Sequence, residues 1–316
     1  MRIFSTSQTL DGTTRGCVLT VGNFDGLHLG HRALISSVVA RGRELERPTA
    51  LYTFEPHPRR VLYPDRSQPR LMTWDQLVAG IEESGIDVLI REHFTPEFAS
   101  LSPEAFLRDI LAERVMPQEV YVGRDFHFGK GRRGSDDTLQ QLAPALGILV
   151  EIIPQVRTGD RDISSTRIRG LLAEGEVEEA AQCLGKPYTV WGKVVEGAGR
   201  GRTLGFPTAN LELENELPPG SGVYATDARL FEGDTLSKVS IASVTNLGTR
   251  PTFESAERVT EVHLIGFDGD IYGRRLALSF QARIRPEKAF SGPQALARQI
   301  ANDVAKARQI LATAKD

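Results

Sequence analysis

The chain has 316 residues, 38 of them Lys or Arg and 41 Asp or Glu, for a formal charge of −3. This near balance gives no reason to expect a nucleic-acid coat or an anionic-membrane binder. Two cysteines, Cys17 and Cys183, can build neither a disulfide framework nor a four-thiolate zinc site.

The opening run Met1-Arg2-Ile3-Phe4-Ser5-Thr6-Ser7 lacks the apolar core of a secretory signal. Ala145 to Ile153, broken by Gly147 and Glu151, falls short of the ~20 residues of a membrane helix. A cytoplasmic chain with both cysteines buried as small apolar residues is expected. Val18-Leu19-Thr20-Val21 reads as a strand, followed at once by Gly22 and a polar turn. From His31 to Leu45, the apolar Leu34, Ile35, Val38 and Val39 share one face of a helix. Ala50 to Phe54 is a second strand, stopped by Pro56 and Pro58, and Trp74 to Glu83 a helix. Val88 to Ile90, Val120 to Val122 and Ile148 to Ile153 are further strands, with an amphipathic helix from Pro103 to Arg114. This alternation predicts an α/β fold, a parallel sheet with helices on both faces, and ligands beyond the carboxyl ends of the strands.

After Gly185-Lys186-Pro187 the pattern changes. Val190 to Val195, Val223 to Leu230, Val239 to Val244, Val259 to Ile265 and Leu276 to Ile284 are short, β-branched and separated by Gly and Pro turns. That spacing predicts an antiparallel barrel or sandwich. A helix closes the chain, with Leu296, Ile300, Val304, Ala307 and Leu311 at steps of three or four and Pro293 in its first turn. The expected domains are residues 1–184 and 185–316.

Chemistry concentrates where the first strand meets the first helix. Gly22-Asn23-Phe24-Asp25-Gly26-Leu27-His28-Leu29-Gly30-His31 brings a glycine-rich turn to a helix start, where unpaired N–H groups and the dipole favour phosphate. His28 and His31, three apart, fall on one side of the first turn. Ile163-Ser164-Ser165-Thr166-Arg167-Ile168-Arg169 offers a second anion site, with a serine cap, helix N–H groups and two guanidinium forks. Gly129-Lys130-Gly131-Arg132-Arg133-Gly134 satisfies a dinucleotide pattern. However, Arg124 to Phe128 separate it from the preceding strand, and three cations crowd the turn. Gly123 to Lys130 fails as a P-loop, because Gly131 stands where Ser or Thr should follow. A basic loop near a polyphosphate is the better expectation.

The first run resembles the His-X-Gly-His signature of nucleotidylyltransferases and, in its full length, their flavin branch. That branch is the amino-terminal module of prokaryotic bifunctional riboflavin kinase/FAD synthetases. Val122-Gly123-Arg124-Asp125-Phe126-His127-Phe128-Gly129 resembles a further signature of that branch, with His127 where the family often carries Arg. In the second half, Gly205-Phe206-Pro207-Thr208-Ala209-Asn210 is similar to the flavokinase signature. Gly222-Val223-Tyr224, Thr245 to Thr252, Glu261-Val262-His263, Asp270 to Gly273 and Arg285-Pro286-Glu287 follow in the family's order.

The resemblance covers residues 15 to 311 or so and implies two reactions: ATP phosphorylates riboflavin to FMN, then adenylylates FMN to FAD. It implies that Gly22, Asn23, Phe24, Asp25, His28, Gly30 and His31 grip ATP phosphates together with Ser164, Ser165, Thr166, Arg167 and Arg169. The two elements would close from neighbouring strand ends, with Gly123, Asp125 and Phe126 near the flavin or the nucleotide. In the kinase half it makes Glu261 the base, and Gly205, Phe206, Pro207, Asn246, Arg250 and Arg285 contacts to ATP or flavin. Thr208 and Asn210, neutral oxygen donors two apart on an extended segment, suit Mg²⁺ held jointly with ATP phosphates. Riboflavin, FMN and ATP are the expected partners, with no nucleic acid and no membrane.

Overall fold

The computed structural model describes residues 1–197, 201, 205–251 and 256–313, without the side chains of residues 250, 251, 256 and 257. The chain forms two compact units, Met1–Pro69 with Trp74–Ser164, and Arg70–Thr73 with Ser165–Asp316.

The first unit is a parallel sheet. Its strands are β1 (Arg2–Phe4), β2 (Val18–Val21), β3 (Thr49–Glu55), β4 (Val88–His93), β5 (Glu119–Gly123) and β8 (Leu149–Ile153), in the order β1-β4-β3-β2-β5-β8. Every pairing is parallel. β2 is buried along its whole length, as a central strand covered on both faces must be. The helices are α1 (Leu29–Leu45), α2 (Pro58–Leu62), α3 (Trp74–Ser84), α4 (Pro96–Ala99), α5 (Pro103–Ala105) and α6 (Asp136–Leu142). The amphipathic helix expected from Pro103 begins as α5 and runs on in π geometry from Phe106 to Val115. Met116 N–H closes it on Leu111 O at 2.7 Å, an i to i−5 bond. Its apolar side chains join Leu19, Val21, Tyr52, Ile90 and Val122 in one core. Each such aliphatic side chain contributes roughly 1.5–3 kcal/mol by leaving water. Two small hairpins follow the sheet's last strands: β6 (His127–Phe128) with β7 (Gly134–Ser135), and β9 (Arg157–Thr158) with β10 (Arg161–Asp162). The rejected glycine pattern forms the tip of the first.

The second unit is a closed barrel. β11 (Tyr188–Val195), β12 (Ala209–Leu213), β13 (Gly222–Glu232), β15 (Ile241–Pro251), β16 (Ala256–Leu264) and β17 (Arg275–Arg285) pair antiparallel in the order β13-β15-β16-β12-β11-β17, and β17 returns to β13. The short β14 (Thr235–Leu236) extends β13 as a hairpin. Closure removes the free edges that a sandwich would leave. Tyr224 and Phe280 are fully buried and meet edge-on at 5.3 Å. The last helix, α9 (Pro293–Thr313), lays Ala307 and Leu311 on Val223, Ala225, Val244 and Ile284.

Helices α7 (Ser165–Glu174) and α8 (Val177–Leu184) belong to the barrel unit. Arg283 of β17 donates its N–H to Glu178 Oε1 at 3.2 Å and its Nη1 to Glu174 O at 3.0 Å. The compact units therefore divide between Ser164 and Ser165, some twenty residues before the change in sequence pattern at 184/185. Leu71, 1% exposed, anchors the segment Arg70–Thr73: Tyr188 Oη lies 2.8 Å from its carbonyl oxygen, and Arg70 N–H donates to Glu216 Oε2 at 3.0 Å. Both cysteines are free and buried, and burial pushes the Cys17 thiol up to about 12.

Candidate active sites

In the first unit, β2 delivers the chain to Gly22, whose N–H donates to Tyr52 O at 3.1 Å. Phe24 turns back into the core, 2% exposed. Gly26 and Leu27 take left-handed φ angles of 94° and 43°, which reverse the chain into α1. His28 caps that helix, its Nδ1 accepting from the His31 N–H at 3.3 Å. The two imidazoles stack at 3.6 Å between centroids, and Phe24 lies 5.2 Å from the His31 ring. A Cβ at Gly30 would stand 3.2 Å from the His28 ring, so glycine leaves that face clear. Asp25 is buried in the same turn.

Burial dominates the electrostatics. Desolvation holds His28 down to about 4, and desolvation with its neighbour's charge holds His31 well below the ordinary imidazole range. Both rings are neutral near pH 7, each with one N–H to donate. His31 Nδ1 is buried with no hydrogen-bond partner among the described residues, a polar atom that an anionic ligand or its proton could satisfy.

The other expected residues of this site divide between the units. Ser164 ends the first unit, whereas Ser165, Thr166, Arg167 and Arg169 open α7 in the second, with Arg167 and Arg169 half-buried. The two phosphate elements do not come from neighbouring strand ends, because β5 lies between β2 and β8. Gly123, Asp125 and Phe126 form a tight turn after β5, closed by Phe126 N–H on Gly123 O at 3.0 Å. Phe126 stacks on Phe128 at 5.4 Å, and the contact continues through Phe106, Phe98 and Phe54. Sequence reasoning missed this aromatic wall. Its members come from the ends of β3 and β5, from β6 and from the helical segments carrying Phe98 and Phe106, and only the density of Phe between residues 94 and 128 hinted at it.

In the second unit one row of registered residues circles the barrel. Val195 pairs with Asn210, Asn210 with Glu261, Glu261 with Asn246, Asn246 with Val223, and Val223 with Arg285. Directly paired residues share a face, so Asn210, Glu261 and Asn246 project together, all half-buried, while Val262 and Leu264 point into the barrel. The Gly205–Asn210 segment is pinned beside them. His263 Nδ1 lies 2.8 Å from Pro207 O, and Phe206 meets the His263 ring edge-on at 5.6 Å.

A Cβ at Gly197 would collide with the Asn210 carboxamide, and one at Gly201 with Phe206 O and Thr208 Oγ1. Glycine thus makes the cradle in which Thr208 and Asn210 sit. The adjoining cavity, about 490 Å³, is lined by Gly197, Asn210, Leu211, Leu247, Gly248 and Thr260 among others. That volume suits a small-molecule ligand. Arg285 is engaged elsewhere, by Asp303 of α9. The Arg250 side chain lies outside the described residues, as do Gly199, Arg200, Arg202, Thr203, Leu204 and Thr252.

Family models match the chain in two blocks, FAD synthetase over residues 11–167 and riboflavin kinase over residues 184–311. The molecule is therefore of a two-module class, a nucleotidylyltransferase region followed by a flavokinase barrel. The bifunctional riboflavin kinase/FMN adenylyltransferase of Escherichia coli strain K12 is 36% identical over 300 residues, 95% of this chain and 94% of its own. Its counterpart in Pseudomonas fluorescens is 37% identical over 299 residues, 94% of each. The chain belongs to the bifunctional riboflavin kinase/FMN adenylyltransferase family. A crystal structure from Streptococcus pneumoniae, named as a macrolide-efflux protein, shares the fold with a TM-score of 0.87 at 29% identity, covering 97% of this chain and 98% of that one. Efflux belongs to that protein's name alone. Among the described residues here, no helix is long and apolar enough to cross a membrane.

Proposed function

We propose that this chain phosphorylates riboflavin to FMN with ATP and then transfers AMP from a second ATP to FMN, giving FAD and pyrophosphate. The observation that carries this reading is the end-to-end likeness to relatives of that name, with a block for each reaction. The functional division is residues 1–184 for adenylyl transfer and 185–316 for phosphorylation. Under this reading the enzyme works in the cytoplasm, where its co-substrate ATP is supplied.

In the kinase step the riboflavin 5′-hydroxyl oxygen attacks the γ-phosphorus, its proton passes to Glu261, and ADP leaves. Positioning and charge neutralisation dominate such transfers. Asn246 and Asn210, registered on either side of Glu261, supply neutral polar contacts beside the base. Gly205, Phe206 and Pro207 wall the nucleotide, and Arg250 offers a cation to its phosphates.

The cradle of Thr208 and Asn210 fits Mg²⁺. Its donors are neutral hard oxygens, and glycines at 197 and 201 leave room around them. The ion, when bound, would neutralise phosphate charge there, and Thr208 and Asn210 would hold it jointly with ATP. Both steps are expected to need it.

In the adenylyl step a phosphate oxygen of FMN attacks the α-phosphorus. That phosphate is already ionised near pH 7, so no protein base is required. His28 and His31 donate N–H groups to phosphate oxygens, aided by the amides of Gly22 to Gly30, with Asn23, Phe24 and Asp25 shaping the turn. Ser164, Ser165 and Thr166 add hydroxyl and amide donors, while Arg167 and Arg169 offset the charge on departing pyrophosphate. Gly123, Asp125 and Phe126 border the flavin, and the wall through Phe126, Phe98 and Phe54 offers rings for its isoalloxazine.

Purified protein incubated with riboflavin, ATP and Mg²⁺ should yield FMN, then FAD and pyrophosphate. FMN alone would remove the adenylyl step, and FAD formed only from added FMN would remove the kinase step.

A further inference from the structure

The turn between β17 and α9 is tied down by one buried carboxylate. Asp303, 2% exposed, accepts from Arg285 Nε at 3.1 and 3.0 Å on its two oxygens and pairs with Nη2 at 2.9 Å. Gln299, one helical turn earlier, donates to the same carboxylate at 2.8 Å, and its Oε1 accepts from Lys288 Nζ at 2.7 Å. Arg285 and Lys288 both stand over the Phe290 ring, at 5.6 and 5.3 Å. The residue held between these anchors is Glu287. Its carboxylate lies so close to Gly248 that a Cβ there would collide with it, and the same position is 3.5 Å from Asn246 Nδ2. Gly248 lines the cavity, and Asn246 is registered with Glu261.

We propose that Asp303 is a positioning residue for phosphoryl transfer: by gripping Arg285 and Gln299 it fixes the turn that lays Glu287 beside Asn246 at the rim of the cavity. The proposal rests on the kinase reading above. A bidentate guanidinium–carboxylate pair sets angle as well as distance, and a site group displaced by about 1 Å can cost on the order of 10²-fold in rate. Glu287, exposed at the rim, is a carboxylate acceptor for the hydroxyls of a polyol chain entering the cavity. Arg285 then serves the reaction through the turn and not by touching substrate.

The test compares riboflavin phosphorylation by the full chain carrying D303N, D303E, E287Q or D303N with E287Q, and FMN adenylylation is followed on the same samples as a control for folding. D303N is expected to lower kcat for phosphorylation by about tenfold while KM for ATP stays within about twofold. D303E should restore most of the loss. The double variant should be no slower than the slower single variant, because both changes remove the same placed carboxylate. Unchanged kcat in folded D303N, or losses that multiply in the double variant, would overturn the positioning role. If D303N does not fold, Q299A replaces it: a severalfold loss that does not multiply with E287Q supports the role, and no loss or a multiplied one overturns it. A wild-type chain that forms FAD from FMN but no FMN from riboflavin overturns the kinase reading, and this proposal with it.

Discussion

Asn210 and Glu261 stand directly opposite each other across β12 and β16, and the same glutamate is registered with Asn246 on its other side. The glutamate is thus flanked in the sheet by two carboxamide residues. Glu261→Gln preserves shape and removes the base. FMN formation should fall by about 10²–10⁴-fold, the usual worth of a general base, while FAD formation from supplied FMN continues. Chromatography of the flavins after timed incubation reads both, and equal loss of the two activities would contradict the assignment.

The reciprocal experiment is His28→Ala with His31→Ala. Removing two phosphate donors should slow FMN adenylylation by about 10²-fold or more and leave riboflavin phosphorylation at the wild-type rate. Pyrophosphate release is the measurement, and undiminished release would take the imidazoles out of the phosphate site.

The histidine pair also makes stability depend on pH with a defined sign. Unfolded, each imidazole titrates near its ordinary value of about 6.5; folded, His28 is held near 4 and His31 well below its ordinary range. Below the unfolded value the unfolded chain binds protons that the fold refuses. The contribution is therefore complete above about pH 6.5 and drains away toward pH 4. The thermal midpoint should drop across that window, and less steeply in H28N/H31N. Bound triphosphate favours the protonated rings, so ATP binding near about pH 5.5 should take up protons. Calorimetry in buffers of different ionisation enthalpy would detect this, and identical enthalpies in all buffers would refute it.

How much of this was readable beforehand depends on range. The strand–helix alternation, the His28–His31 spacing and the barrel strands follow local periodicities, so they showed in the sequence. β12 was not among the expected strands: Thr208 to Asn210 read as extended, but the glycine-rich run before them hides a strand to Leu213 until its pairing with β11 and β16 is known. β1 is only three residues long, and its pairing with β4 spans more than eighty residues. Asp303 interrupts the helix's apolar stripe, and nothing near it in the chain announces that Arg285 will bury it. The aromatic wall likewise exists only once helices and strand ends distant in the chain pack together, and the row from Asn210 to Asn246 only once its strands are in register.

Glycine at 197 makes a further prediction, since any side chain there would meet the Asn210 carboxamide. Gly197→Ala should raise the Mg²⁺ concentration needed for half-maximal phosphorylation by about tenfold, with adenylylation unaltered. Rate against Mg²⁺ is the assay, and superimposable curves would exclude Asn210 from the ion's surroundings.

The allegiance of Leu71, Glu174 and Glu178 to the barrel unit bears on any attempt to dissect the gene. A fragment cut at the change of sequence pattern, residues 185–316, would strip Arg283 of both acceptors on α7 and α8 and leave Tyr188 without its Leu71 carbonyl. Such a product should be recovered poorly, whereas one beginning before Ser165 retains the two supporting helices. The seam in the primary structure and the seam in the folded object are different places, and a surgeon of this enzyme should follow the second.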